Sequence, residues 1–139
     1  MLVLDTDHFS EFERGTRAGA ELRERLRVAD QAKAVTVVTA EEVMRGWLAY
    51  IHQHRDGLQS ENAYRQFQTS LQSFGKWIIL PWTQGGANLL QGFRRQRIRI
   101  GSMDLRVASI VLAHEATLLT RNLADFRQVP GLRVENWLD

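Results

Sequence analysis

The sequence predicts a three-layer α/β/α sandwich, in which helices cover both faces of a central, mainly parallel sheet of four or five strands. Short apolar runs alternate with segments of helical periodicity along the chain, which is the pattern of repeated β–α units. The runs are apolar throughout, as is typical of parallel strands buried on both faces. No linker, repeat or low-complexity segment divides the 139 residues, so we expect one domain over residues 1–139.

Strands are expected where β-branched and large apolar residues cluster between turn signals. The first covers residues 1–4 and ends at Asp5, and the second covers the β-branched residues 34–38. Three more are expected at residues 77–80, closed by Pro81, at residues 117–120 and at residues 132–137.

Helices are expected between these strands, where apolar residues recur three or four positions apart. Thr39 is followed three positions later by Glu42, a capping box that predicts a helix from there to about residue 54. Gly15 and Gly75 mark the ends of two other helices. The remaining segments are residues 8–14, 18–29 and 61–74, a helix opening near Gly85–Gly86, residues 104–113 with Ser102 as cap, and a short turn to residue 126 capped by Asn122.

The amino-acid composition limits which catalytic groups and metal ligands the chain can use. There is no cysteine, which excludes disulfides and thiolate catalysis and leaves oxygen or histidine as metal ligands. Lys33 and Lys76 are the only lysines, so arginine supplies 16 of the 18 cationic side chains at a net charge of +2. Arginine suits phosphate binding, although a genome rich in G and C gives the same bias. No apolar stretch approaches the roughly 20 residues of a membrane span, and we expect a cytoplasmic protein without a membrane partner.

Four acidic residues lie where an apolar run stops or a helical pattern begins. Asp5 ends the first strand, and Asp125 follows the fourth. Glu42 and Asp104 lie in the expected first turns of two helices. The carboxyl ends of parallel strands meet at one edge of the sheet, where ligands bind, so we expect all four acids there. They would repel one another without a cation among them, which predicts Mg²⁺ or Mn²⁺ and phosphate chemistry.

Neighbouring polar groups support this hypothesis, and local structure offers an alternative to it. Thr6, Thr120 and Asn122 supply hydroxyl and amide groups that would orient the carboxylates or an attacking water. Each acid is alternatively explained as a helix cap or as a charge favoured by the helix dipole, and Asp7 would cap the first helix. Asp5 is the hardest to explain in that way, because an acid that ends an apolar strand gains little from local structure.

The acidic stretches occur in contexts that resemble one family, the PIN-domain ribonucleases, and closely the VapC-type toxins of bacterial toxin–antitoxin pairs. Residues 4–6 are similar to the first-strand motif of that family. Residues 39–46 resemble its second block, in which the acid stands four positions before a glycine, a rule that selects Glu42 over Glu41. The third block resembles residues 100–105, and the last resembles residues 120–126, 129–132 and 135–137. The resemblance covers nearly the whole chain.

The resemblance implies a PIN-like fold and the toxin of a type II toxin–antitoxin system, a magnesium- or manganese-dependent endoribonuclease. It implies that Asp5, Glu42 and Asp104 form the metal-binding core, with Asp125 as a fourth acid that often binds through water. It further implies a homodimer, a VapB-type antitoxin that blocks the site, and structured RNA substrates, especially tRNA. Asp7 departs from the family, in which asparagine or serine is more common at that position.

Two groups outside the acidic site have a functional and a structural interpretation. The densest run of basic residues would contact the RNA backbone, or would only stabilise a helix end. We call it the arginine cluster; it consists of Arg94, Arg95, Arg97 and Arg99. Apolar residues of the early helices would line a groove for an antitoxin helix, or would belong to the core. These are Phe9, Phe12, Trp47, Tyr50 and Ile51.

Two other functions remain as alternatives. Asp5-x-Asp7 also suggests a phosphatase of the haloacid-dehalogenase kind, but that family requires a catalytic lysine and a later acidic pair that the sequence does not supply. A non-catalytic PIN-like RNA-binding module is disfavoured because a binder has no use for clustered acids. The four histidines have no spacing that fits the acids, so we expect none of them to be catalytic. They are His8, His52, His54 and His114.

Overall fold

The structure, a computed structural model, describes residues 1–139, in which strands and helices alternate as predicted. The strands are β1 (Leu2–Leu4), β2 (Lys33–Thr36), β3 (Ile78–Leu80), β4 (Thr117–Leu119) and β5 (Arg133–Glu135). The helices are α1 (Thr6–Glu13), α2 (Arg17–Ala29), α3 (Val37–Gln53), α4 (Gly57–Phe74), α5 (Gln84–Arg95), α6 (Ser102–Ala113) and α7 (Leu123–Phe126).

All five strands are parallel and lie in the order β3-β2-β1-β4-β5. Val3 in β1 pairs with Ala34 of β2 on one side and with Leu118 of β4 on the other, so β1 is the central strand. The strand order reverses between β1 and β4. In open α/β sheets, ligands bind in the crevice outside the carboxyl ends of two such strands.

The central strand separates two apolar cores, because successive side chains of a strand point to opposite faces of the sheet. Val3 belongs to a core covered by α5 and α6. Leu2 and Leu4 belong to the other core, which α1, α2 and α4 cover. Helices therefore lie on both faces of a parallel sheet, and the predicted fold class is confirmed.

The start of α3 differs from the prediction. Thr36 is its cap, and the Thr36 hydroxyl accepts a hydrogen bond from the backbone N of Thr39 at 3.1 Å. The predicted strand to residue 38 and the predicted capping box of Thr39 and Glu42 are therefore wrong. Val37 and Val38 are β-branched, which suggested a strand, but both belong to the helix. Glu42 consequently lies one turn further into α3 than predicted.

Other helix starts also shift by a few residues. Ser102 is the first residue of α6, with Gly101 at the cap position, so the prediction that Ser102 is the cap is wrong. α4 begins at Gly57, four residues before the predicted segment 61–74. Asn122 holds the cap position of α7, but its side chain makes no cap hydrogen bond. No helix combines the length and the apolar character that a membrane span requires.

Candidate active site

A cavity of about 230 Å³ lies at the carboxyl edge of the sheet and includes residues that follow β1 and β4. It brings three of the four predicted acids together from separate elements. Asp5 follows β1, Glu42 projects from α3, and Asp104 lies in the first turn of α6. The other lining residues are Thr6, Asp7, Val107, Asn122 and Phe126.

Asp5 is fixed by both strand and helix. Its backbone N donates to the carbonyl of Leu119 at 3.0 Å, which continues the pairing of β1 with β4. Its carboxylate caps α1, because Oδ1 accepts a hydrogen bond from the backbone N of His8 at 2.8 Å. The expectations that Asp5 gains little from local structure and that Asp7 caps α1 are therefore wrong. Asp7 is exposed in the first turn of α1 and lines the cavity.

Glu42 faces the cavity with one oxygen held by the neighbouring helix. The Thr6 hydroxyl donates to Glu42 Oε1 at 2.9 Å, so Thr6 lies where an orienting group was predicted. Burial raises the pKa of Glu42, and the Thr6 hydrogen bond opposes that rise. The negative charges of Asp104, Asp5 and Glu41 raise this pKa further. Glu42 is thus a carboxylate for which the cavity provides one hydrogen bond and no positive charge.

Asp104 is the second acid with a perturbed pKa. Burial raises the pKa of this half-buried carboxyl, and the charges of Asp5, Asp125 and Asp7 raise it further. Asp104 lies in the first turn of α6, where the partial positive charge of the helix N-terminus favours an anion. No side chain caps this helix end, so no other side chain satisfies its backbone N–H groups. Repulsion from the other acids and burial outweigh that local stabilisation.

Asp125 lies beside the cavity and does not line it. The Asn122 side-chain amide donates to Asp125 Oδ2 at 2.9 Å, and the Asn122 backbone N donates to the Thr120 hydroxyl at 3.0 Å. Thr120 is buried at the end of β4. Asn122 therefore connects the cavity to the fourth acid, whose charge is close enough to act on Asp104.

The donor set of this cavity suits a hard divalent cation. Four carboxylates line the cavity and no lysine or arginine does, so no basic side chain of the lining neutralises them. Oxygen-only ligands of this kind are preferred by Mg²⁺ and Mn²⁺. No three acidic or histidine side chains are already placed to hold one ion, so three-point binding requires side-chain rotation. The lack of a lining lysine also leaves the phosphatase alternative without its catalytic group.

His8, which was not expected to be catalytic, lies against one of the acids of the site. Its side chain is fully buried, and its Nδ1 lies 3.2 Å from Asp5 Oδ1. The signal that could have identified it is its position three residues after Asp5, on the same helical turn. The other histidines lie elsewhere: the Nδ1 atoms of His54 and His114 contact carbonyls of their own helices, and His52 contacts Arg55.

The arginine cluster lies between the end of α5 and the start of α6. All four of its side chains are exposed and none forms a salt bridge. Two belong to the last turn of α5, and the other two lie in the connection that leads into the Asp104 turn. The cluster is thus close to the cavity along the chain, but it does not line it.

A larger groove of about 530 Å³ lies between α1, α3 and α4, with Phe9, Val43 and Trp47 as its apolar residues. Of the five residues predicted for such a groove, only Phe9 and Trp47 line it. Phe12 packs edge-on against Trp77, with ring centroids 5.0 Å apart. The remaining two lie further along α3: Tyr50 packs on Trp47, and Ile51 lines a separate cavity.

Two curated relatives share short segments with this chain. Ribonuclease VapC2 of Rickettsia felis is 47% identical over 38 residues, which is 27% of this chain and 28% of that relative. Ribonuclease VapC1 of the same organism is 38% identical over 48 residues, which is 34% of this chain and 36% of that relative. The matched segments thus span roughly a third of these relatives. No protein-family profile matches the chain.

Solved structures match over nearly the whole chain. A chain of VapBC2 from Rickettsia felis, bound to a promoter DNA fragment, superposes with a TM-score of 0.72 at 22% identity and covers 98% of both chains. A chain of DNA-bound VapBC from Salmonella typhimurium gives a TM-score of 0.74 at 19% identity and covers 98% and 97%. This chain therefore shares its fold with chains of these VapBC complexes. The resemblance predicted from the four sequence blocks is confirmed, and in this PIN-like fold the first three blocks meet at one cavity.

Proposed function

We propose that this chain is the toxin of a type II toxin–antitoxin system, an endoribonuclease that hydrolyses phosphodiester bonds of RNA with Mg²⁺ or Mn²⁺. The observation that carries the proposal is the cavity itself. Asp5, Glu42 and Asp104 line it without a basic side chain, at the ligand-binding edge of a PIN-like fold. Two relatives bear the name ribonuclease, which supports RNA as the substrate.

In this proposal, three of the four lining carboxylates, those of Asp5, Glu42 and Asp104, would hold the cation, and neighbouring residues orient them. When bound, Mg²⁺ would lower the pKa of a water molecule and neutralise negative charge on the phosphate. Thr6 donates to one oxygen of Glu42, and the other oxygen, which has no side-chain hydrogen bond, would be available to bind the cation. Asn122 holds Asp125 beside the cavity, where this fourth acid would bind through water. Partial burial and mutual repulsion raise the pKa values of Glu42 and Asp104, so a cation among these carboxylates would relieve an unfavourable concentration of negative charge.

The RNA backbone would be held by the arginine cluster. Its guanidinium groups are exposed and unpaired, so they can bind phosphates without first breaking an ion pair. The cluster leads directly into the Asp104 turn, which would bring a bound strand towards the cavity. Structured RNA, including tRNA, is the substrate class we propose.

The groove between α1, α3 and α4 would accept a helix of a VapB-type antitoxin. Solved neighbours of this fold are toxin–antitoxin complexes, which supports such a partner. Val43 and Trp47 are the partly exposed apolar residues of the groove, and they give it a surface suited to the apolar face of an amphipathic helix. Phe9 belongs to α1, the helix that Asp5 caps, so an antitoxin in this groove would be near the active site. We further propose that the chain forms a homodimer.

Cleavage of defined RNAs by the purified chain tests the proposal. Asp5→Asn and Asp104→Asn should abolish cleavage while the circular dichroism spectrum stays native. Asp56→Asn is the matched control, because Asp56 caps α4 without a side-chain hydrogen bond and lies outside the cavity. Cleavage that persists in EDTA would contradict the metal mechanism. RNA binding without cleavage by the native chain would favour the non-catalytic module instead.

A further inference from the structure

His8 lies between the proposed cation site and the segment that follows β5. The side chain is fully buried in α1. One ring nitrogen, Nδ1, is 3.2 Å from Asp5 Oδ1. The other, Nε2, is 3.2 Å from the backbone N of Trp137, a residue 129 positions away along the chain. The ring is therefore held at both ends, by groups from distant parts of the sequence.

The contact with Trp137 fixes the position of the ring proton. A backbone N–H can only donate a hydrogen bond, so Nε2 of His8 must accept it. The proton of the imidazole then lies on Nδ1, the nitrogen that faces Asp5. The direction of the second bond follows: Nδ1–H donates to Asp5 Oδ1.

His8 thus gives two donors to a single oxygen of Asp5. Its backbone N lies 2.8 Å from Oδ1, and its ring N–H points to the same atom. The hydrogen bonds of the Asp5 side chain involve Oδ1 only, so Oδ2 is left for the cavity. Two donors in fixed positions restrict rotation of the carboxylate, which is how outer hydrogen bonds orient a metal ligand.

Trp137 is itself fixed by contacts with α2 and β5. The guanidinium of Arg25 stacks over the indole at 4.6 Å from its centre and donates to the Trp137 carbonyl at 3.1 Å. The indole N–H donates to Glu135 Oε2 at 2.6 Å. The Arg25 bond to the Trp137 carbonyl does not involve the indole, so it would hold the backbone of Trp137 beside His8 even without that ring. The set of contacts runs from α2 through Trp137 and His8 to Asp5.

We propose that His8 is a positioning residue for cation binding at Asp5, and that the backbone N–H of Trp137 sets the ring tautomer through which it acts. The inference rests on the proposed function, because it takes Asp5 as a ligand of the cation. His8 touches neither the substrate nor the cation. It acts by holding one oxygen of Asp5 so that the other faces the cavity.

The tautomer is directly measurable in the native chain. A long-range ¹H–¹⁵N correlation spectrum distinguishes protonated from unprotonated ring nitrogens of histidine. The expected result is a proton on Nδ1 of His8, and a proton on Nε2 would overturn the proposal. Trp137→Pro removes the N–H donor and should change this spectrum. Trp137→Ala also loses the indole but retains the N–H, and it should preserve the Nδ1 proton.

Calorimetric titration with Mn²⁺ tests the effect on binding without any RNA. His8→Leu should weaken Mn²⁺ binding at least about tenfold, the usual loss when an outer hydrogen bond to a metal ligand is removed. His8→Asn should restore affinity to near the native value, because its amide N–H can replace Nδ1–H. A folded His8→Leu variant with native affinity would overturn the proposal. If that variant does not fold, the Trp137→Pro and Trp137→Ala pair replaces it, and equal affinities of this pair would be the contradicting result.

The same titration separates this inference from the proposed function. Asp5→Asn should lose Mn²⁺ binding at this site altogether. If the native chain bound no Mn²⁺, the proposed function would be refuted, whatever the tautomer of His8. If the native chain bound Mn²⁺ and the His8 variants bound it with the same affinity, only the inference about His8 would be refuted.

Discussion

Replacing Asp104 with asparagine should stabilise the folded protein while it removes the proposed activity. Burial raises the pKa of this carboxyl, and the charges of Asp5, Asp125 and Asp7 raise it further. Asparagine has nearly the same shape and no charge. The substitution therefore relieves desolvation and repulsion and leaves the packing of α6 unchanged.

The expected gain follows from two opposing contributions. An exposed or half-exposed charge pair contributes about 0.2–1 kcal/mol, and three like-charged neighbours act on Asp104. Removing the charge also loses its attraction to the N-terminus of α6, typically about 0.3–1 kcal/mol. The repulsions and the burial together exceed this loss, so we expect a net gain of about 1 kcal/mol in the free energy of unfolding.

Urea unfolding in EDTA at neutral pH and low salt measures this gain. Added salt should reduce it, because the repulsion between partly exposed charges is screened. Added Mn²⁺ should reverse the order of stabilities, since only the native chain gains the free energy of binding the cation. A variant less stable than the native chain in EDTA would refute the reasoning.

The gain should also depend on pH in a defined direction. Asp104 has a folded-state pKa raised above its unfolded value, which is about 3.9 for an aspartate. Its contribution to stability is fully present below the unfolded pKa and is lost as pH rises through the folded pKa. The advantage of Asp104→Asn should therefore appear above the folded pKa and disappear in acid. An equal advantage at acidic and neutral pH would contradict a charge-based cause.

Three further predictions concern the groups around the site. Thr6→Val removes the hydroxyl that donates to Glu42 and should lower the free energy of unfolding by about 1 kcal/mol; it should also weaken Mn²⁺ binding, and unchanged affinity would exclude an orienting role. Alanine at the arginine cluster should weaken RNA binding and flatten its dependence on log salt by about 0.7–0.9 per lost phosphate contact, the range from single strands to duplexes, whereas an unaltered slope would remove the cluster from the interface. Trp47→Glu should weaken antitoxin binding about tenfold or more in a calorimetric titration without slowing RNA cleavage, and full affinity would move the antitoxin to another surface.

The convergence of Asp5, Glu42 and Asp104 was predictable from the sequence, because parallel strands share one carboxyl edge and each acid lies near that edge. The alternation of apolar runs and helical segments sufficed for that conclusion. The wrong prediction of where α3 begins did not change that conclusion. Glu42 lies one turn further along the helix than predicted, and it still reaches the cavity.

The supporting contacts were not predictable in the same way. The hydrogen bond from Trp137 to His8 joins positions 129 residues apart, and it depends on how the segment after β5 folds back towards α1. The capping role of Asp5 was missed because a strand-ending acid can equally be the first residue before a helix, and the sequence shows no gap between β1 and α1. Asp125 was expected with the other acids, but its hydrogen bond from Asn122 holds it beside the cavity.

Anomalous diffraction from crystals of the native chain grown with Mn²⁺ tests the central claim most directly. We predict one or two manganese peaks among Asp5, Glu42 and Asp104, with Oδ2 of Asp5 turned to the ion and Oδ1 still bonded to His8. Crystals of Asp5→Asn grown in the same way should lack them. Native crystals with no peak in this cavity, or with manganese bound only at other surfaces, would contradict the claim that these carboxylates form a cation site.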